Sequence, residues 1–148
     1  MCIRDRYEAP IYIAWSATNR SPLIRIPVTR GAGTRVELRC PDPAANPYLV
    51  LAVCLEAGLD GIRNQITPPD AVTENVFEMQ LQQRAKLGIE SLPGDLEQAV
   101  EELEKDDYIK NVLGGHITEK YLEAKRAEWA DYRAQVTEWE IEKYLYKI

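Results

Sequence analysis

The run from Pro47 to Asn64 is apolar almost all the way round a helix, and it limits this chain more than any other feature. Its charged residues, Glu56, Asp60 and Arg63, recur at helical spacing and fall on one narrow stripe. A helix with so little polar surface needs packing partners on several sides, so the stretch predicts a largely buried helix. Asn46 is placed to cap it and Pro47 suits its first position, where no intrahelical N–H bond is lost. Thr67-Pro68-Pro69 marks the end of the unit.

The segments on either side do not supply enough cover. Ile11 to Ser16 is β-prone, and Leu23 to Val28 reads as a second short strand. Gly31 and Gly33 make the next stretch a loop. Arg35 to Cys40 then alternates strictly, which predicts a strand with Val36, Leu38 and Cys40 on one face and Arg35, Glu37 and Arg39 on the other. Downstream, Asp95 is placed to cap a helix whose Leu96, Ala99, Val100 and Leu103 share one face. Gly114-Gly115 breaks the pattern, Ile117 to about Val136 reads as a long helix, and Trp139 to Ile148 as a short amphipathic tail rich in aromatics. The fold class is therefore α+β, with a few antiparallel strands on the N-terminal side and a mostly helical C-terminal portion. Two or three short strands cannot form a sheet with both faces covered, so the chain reads as part of something larger.

Composition excludes several functions. Three Trp, eight Tyr and a 45% apolar content in 148 residues argue against disorder. No apolar run approaches the length of a membrane span, no signal-peptide pattern opens the chain, and no membrane partner is expected. Cys2, Cys40 and Cys54 form no C-x-x-C pair, which fits a reducing cytoplasm. The single histidine, His116, rules out a zinc site built on two histidines. A net charge of −6 weighs against nucleic acid as a partner.

The charge is uneven. Residues 1–45 carry net +3 and residues 46–148 carry net −9, and every basic residue of the first part is Arg. Arg presents a planar fork of donors that matches carboxylate and phosphate oxygens, whereas Lys is a point charge. The sharpest cluster is Arg35-x-Glu37-x-Arg39, with Arg20 and Arg25 arriving from neighbouring segments. Two guanidinium groups ~7 Å apart at an effective dielectric of about 20 repel by roughly 2.4 kcal/mol, so such a cluster suits an anionic ligand. The plain alternative is a solvated strand face with ion pairs worth at most about 1 kcal/mol each.

Asn19-Arg20-Ser21, Arg25-Ile26-Pro27, Arg35-Val36-Glu37-Leu38-Arg39, Pro41-Asp42-Pro43-Ala44-Ala45-Asn46-Pro47-Tyr48 and Ala57-Gly58-Leu59-Asp60-Gly61-Ile62 occur in this order. From about Tyr7 onward the chain resembles the C-terminal part of the catalytic domain of type I bacterial glutamine synthetase. The resemblance implies ATP-dependent ligation of ammonia to the γ-carboxylate of L-glutamate through γ-glutamyl phosphate. It implies Glu37 as a ligand of Mg²⁺ or Mn²⁺, and Arg25 and Arg35 as ATP-phosphate binders. It places Arg20 at the transferring phosphoryl group, as a catalytic and glutamate-binding residue, and Arg39 at the glutamate substrate. It implies a homo-dodecamer of two hexameric rings in the full-length enzyme, with the aromatic tail packing into the opposing ring.

On this reading residues 7–148 are a C-terminal fragment, with active-site strands and loops over 7–45 and a helical portion over 46–148, while residues 1–6 match nothing in the family and read as non-native. The family's other metal glutamates, its metal histidine and its glycine-rich nucleotide stretch lie upstream of the matched region. Some members are adenylylated on a tyrosine in the segment matching Glu74-Asn75-Val76-Phe77; Phe77 has no hydroxyl to modify. Two other readings compete: a relative that ligates glutamate to another amine, and a non-catalytic helical module for assembly or interaction. The isolated 148-residue chain is predicted to be inactive; glutamine formation from glutamate, ammonia and ATP by the purified chain would overturn this.

Overall fold

In the computed structural model, which describes residues 10–147, the β-prone run from Ile11 to Ser16 is broken in two. β1 (Tyr12–Ile13) and β2 (Trp15–Ser16) are separated by Ala14 and belong to different sheets. The cause is a tight bend: the Ala14 N–H donates to the Tyr12 carbonyl at 2.9 Å, an i to i−2 bond that no extended strand makes. β1 pairs antiparallel with β5 (Glu90–Ser91), a segment with no strand signal of its own.

β2 lies parallel to β3 (Ile24–Arg25), and β3 antiparallel to β4 (Glu37–Leu38), in the order β2-β3-β4. β4 is shorter than the alternation from Arg35 to Cys40 predicts. Its register sets Ile24 opposite Leu38 and Arg25 opposite Glu37. The expected apolar face does not close: Val36 is 65% and Leu38 37% exposed. Gly31–Gly33 form a 3-10 turn, with Gly31 at φ 72°, a backbone conformation that favours glycine.

The chain divides into two compact units, Met1–Gly94 and Asp95–Ile148. In the first, α1 spans Pro47–Arg63, and the Asn46 side chain accepts from the Tyr48 and Leu49 N–H groups, as the sequence predicts. The polar stripe is ordered by Arg63 on Glu56 at 3.1 Å and by Asn64 on Asp60 at 2.7 Å. Burial departs from expectation. No residue of α1 is buried, and Tyr48, Leu51, Leu55 and Ile62 are all well exposed. An apolar helix is buried only by what packs against it, and none of the elements described in this unit covers that face.

The core of the first unit is small: Ala14, Pro22, Leu23, Val76 and Met79, with the hydroxyls of Ser16 and Ser21 buried among them. Residues 67–80 run along it with little regular structure and end at α2 (Leu81–Lys86). Trp15 Nε1 donates to the Pro69 carbonyl at 2.7 Å, and the Val72 N–H donates to the Trp15 carbonyl at 2.9 Å. The Tyr12 ring meets Phe77 edge-on at 5.7 Å and carries the Arg84 guanidinium 4.5 Å above it.

The second unit is helical: α3 (Leu96–Lys105), α4 (Asp107–Leu113), α5 (Gly115–Arg133) and α6 (Glu138–Glu140), followed by one π-helical turn over Ile141–Leu145. α3, α4 and α5 pack on one another around Val100 and Thr118. On the expected face of α3, Val100 is buried, Leu96 and Leu103 are half-buried, and Ala99 is exposed. Asp106 ends α3 and caps α4 through the Ile109 N–H. Only Gly114 breaks the helical run, at φ 77°; Gly115 already belongs to α5. Thr137 and Glu140 form a reciprocal capping box that starts the aromatic tail. The non-native reading of residues 1–6 and the last residue of the tail, Ile148, lie outside the described residues. No helix among those described is long and apolar enough to cross a membrane.

Asp95 accepts from the Gln98 N–H at 2.8 Å. Asp95→Ala should cost about 1 kcal/mol and Asp95→Asn only a few tenths. Urea midpoints followed by far-UV circular dichroism read both; equal losses for the two variants would show that the cap bond is not what Asp95 contributes.

Candidate functional site

The register that sets Arg25 opposite Glu37 builds the site. Arg25 Nη1 donates to Glu37 Oε2 at 2.9 Å. Arg35, just ahead of β4, reaches the other oxygen, with Nε 2.8 Å and Nη2 2.7 Å from Oε1. One carboxylate is thus shared by two guanidinium groups, one oxygen each. The side chains of Arg25 and Glu37 are 22% and 26% exposed and that of Arg35 is 51%, so the bridge sits at the lip of the sheet. Hydrogen bonding from Arg25, then from Arg35, holds the Glu37 carboxyl below its usual value of 4.5 despite partial desolvation.

Arg39 and Arg20 are held differently. Arg39 continues from β4, and its backbone N–H donates to the Leu23 carbonyl at 2.9 Å. Its Nη1 is buried with no hydrogen-bond partner, and so is Arg25 Nε. A buried donor left unmade costs about 1–3 kcal/mol, so the one on Arg25, within the bonded group, and the one on Arg39, next along the strand, each suit an added acceptor. Arg20 is exposed on a turn, and no ion pair or hydrogen bond joins its side chain to the other described residues. The structure therefore brings Arg25, Arg35 and Glu37 into one bonded group. Arg39 adjoins this group through the backbone, and Arg20 is linked to it by no contact.

The anchoring of the Arg20 turn is less visible in the sequence. Ser16 Oγ accepts from the Asn19 N–H at 3.2 Å. Asn19 Oδ1 accepts from both the N–H and the hydroxyl of Ser21 at 2.7 Å. The Asn-x-Ser spacing signals this local turn. Its ties to residues 73–76 span more than fifty positions, and no local pattern announces them.

Chemically, the group is a cationic cradle around one hard oxygen donor. Among the described residues no three His, Cys, Asp or Glu side chains cluster so as to hold a metal ion. Glu37 fits a hard divalent cation as a single oxygen ligand through Oε2, which accepts from Arg25 alone and keeps a second lone pair, whereas Oε1 already faces two donors of Arg35. Neither Cys40 nor Cys54 is in a disulfide, and His116 is exposed at the start of α5.

Comparison with known proteins bears on this arrangement. The family model described as "Glutamine synthetase, catalytic domain" matches residues 3–144. A glutamine synthetase of Clostridium saccharobutylicum is 55% identical over 141 residues, covering 95% of this chain and 32% of that protein. One of Thermotoga maritima is 56% identical over 140 residues, with the same two shares, 95% and 32%. A solved structure titled "GmaS/ADP complex-Conformation 1" superposes with a TM-score of 0.81 at 37% identity, over 98% of this chain and 31% of that one. The chain thus spans about a third of the length of the curated relatives it matches.

A carboxyl held below 4.5 in the fold contributes stability that is present above that value and lost as pH falls through the lowered one. Glu37→Gln should therefore be less stable than the parent at about pH 6 and lose less on acidification to about pH 3, so that the two denaturation midpoints converge. A gap that stays constant between these pH values would show that Glu37 ionisation does not contribute.

Proposed function

This chain belongs to the glutamine synthetase catalytic-domain family, and from that membership we propose that it supplies part of the active site of an ATP-dependent glutamate–ammonia ligase. ATP phosphorylates the γ-carboxylate of L-glutamate, and ammonia then displaces phosphate from γ-glutamyl phosphate to give L-glutamine. The observation that carries the reading is the Arg25–Glu37–Arg35 bridge, in which Arg25 also keeps a buried donor without a partner.

In this proposal Arg25 and Arg35 hold ATP phosphate oxygens. Both present guanidinium forks, and both already sit on a carboxylate, an oxygen acceptor with similar geometry. Arg39 takes the glutamate substrate through the donor it holds buried and unpaired. Arg20, free to reach from its turn, meets the transferring phosphoryl group, where charge spread over three oxygens is best stabilised by a positioned cation. Glu37 supplies one oxygen ligand to Mg²⁺ or Mn²⁺, which when bound neutralises phosphate charge. The other ligands must come from outside the described residues. Ammonia as the amine is favoured by the relatives named glutamine synthetase, to which identity is 55% and 56%. Assembly as a homo-dodecamer and work in the cytoplasm belong to the same proposal.

A completed enzyme, made by placing residues 7–148 in the matching third of the Thermotoga maritima protein, tests the reading. It should form glutamine, and Arg39→Ala should lower kcat/KM for glutamate by about 10- to 100-fold, mostly through KM, with folding and assembly intact. Turnover unchanged by Arg39→Ala would remove that residue from the site, and absence of glutamine formation by the parent graft would overturn the reading.

A further inference from the structure

Arg20 is exposed and draws no positional constraint from side-chain contacts among the described residues, so its place is set by the backbone of its turn. That backbone is held with unusual thoroughness. On one side, Ser16, buried at 1% exposure, receives the Asn19 N–H and, at 3.4 Å, the Thr18 N–H on its hydroxyl oxygen. Across the turn, Asn19 Oδ1 accepts two bonds from Ser21, closing a ring around Arg20. On the far side, Asn19 Nδ2 donates to the Glu74 carbonyl at 2.5 Å, with the Thr73 carbonyl at 3.5 Å. Ser21 Oγ accepts from the N–H of Val76 at 2.9 Å.

The ties to residues 73–76 are anchored in the core. Val76 is completely buried and Ser21 is 7% exposed. Breaking the Ser21–Val76 bond would strand a backbone donor with no water to receive it. Apart from the Thr18 N–H, each of these bonds lands on the residue before Arg20 or the residue after it, and none lands on the Arg20 side chain. A turn closed from three directions presents its middle residue at a defined place while leaving its guanidinium group unengaged.

We propose that Asn19 and Ser21 are positioning residues for phosphoryl transfer, which fix the Arg20 turn against residues 73–76 so that its guanidinium meets the transferring group without reorganisation. The proposal rests on the role given to Arg20 above. Preorganised charge is most effective when its position is set before the reaction, and misplacement by about 1 Å can cost on the order of 100-fold in rate. Because Arg20 acts on the charge of the transition state, loosening its turn lowers kcat and leaves ATP binding nearly untouched.

The test uses the completed enzyme described above, with steady-state kinetics in ATP and glutamate. Asn19→Ala should lower kcat by roughly 10- to 100-fold with the KM for ATP within about twofold. Asn19→Asp is about the same size, keeps the acceptor facing Ser21, replaces the donor to Glu74 with a carboxylate oxygen and adds a negative charge, and should lower kcat at least about fivefold. The decisive measurement is a double-mutant cycle: in an Arg20→Gln background, the uncharged variant Asn19→Ala should change kcat by less than about twofold. A side chain that only stabilises the fold would lower kcat equally with and without Arg20. Equal losses in both backgrounds overturn the proposal, and so does a kcat within about twofold of the parent for both Asn19 variants. A parent graft that forms no glutamine overturns the functional reading and this proposal with it, whereas a parent that turns over with additive Asn19 effects overturns this proposal alone.

Discussion

The carboxylate of Glu37 is the interaction on which the candidate site depends. Arg25 and Arg35 each take one of its oxygens, and two guanidinium groups brought so close would repel without it. β4 is only two residues long, so its ladder contributes few bonds to set the pairing with β3. A slip of one residue would turn Glu37 to the opposite face of the sheet and leave Arg25 facing an apolar neighbour. The ion pair and the strand register therefore support each other. The ladder places Arg25 opposite Glu37, and the two arginines make that register the one in which their charge is compensated.

Compensation is not complete, and the remainder matters. Arg25 keeps its Nε buried without a partner while its Nη1 holds Glu37, and Arg39 keeps a buried Nη1 unmade. Most buried polar groups in folded proteins are paired, so orphaned donors within a cationic cluster carry more information than the ion pairs beside them. The balance of the cluster is three cations to one anion when Arg39 is counted with Arg25, Arg35 and Glu37. An anion with several acceptor oxygens would satisfy such donors, as the proposed function requires. Arginine rather than lysine serves this end because its donors are fixed in a plane and do not titrate at ordinary pH.

What could be read from the sequence divides along a physical line. Features governed by neighbours along the chain were visible: Asn46 and Asp95 at helix starts, the Glu56–Asp60–Arg63 stripe, and the conjunction of Arg35 with Glu37. Features governed by distant partners were not. The run from Ile11 to Ser16 looks like one strand, but Ala14 bends it because Tyr12 and Trp15 pair with different sheets. Glu90 and Ser91 carry no strand signal and become one because β1 offers them an edge. The alternation from Arg35 to Cys40 is real, yet only Glu37 and Leu38 find a partner strand. Likewise the turn at Asn19-Arg20-Ser21 is tied to Glu74 and Val76, a segment more than fifty residues away.

α1 shows the same division within a single element. Its start, its polar stripe and its length follow from residues 46–64 alone, since capping and periodicity are local properties. Its burial does not, because burial belongs to whatever lies against it. Tyr48, Leu51, Leu55 and Ile62 stand exposed on a helix whose composition suits an interior, in a chain that spans about a third of the length of its relatives. Apolar area contributes roughly 25 cal/mol per Å² only when it is removed from water, so these side chains do not stabilise the helix as it stands. The arginine bridge depends on no such cover. It is held by short charged hydrogen bonds from the adjacent strand and from its own segment, which is why the bridge forms locally while the helix that follows it in sequence lies uncovered.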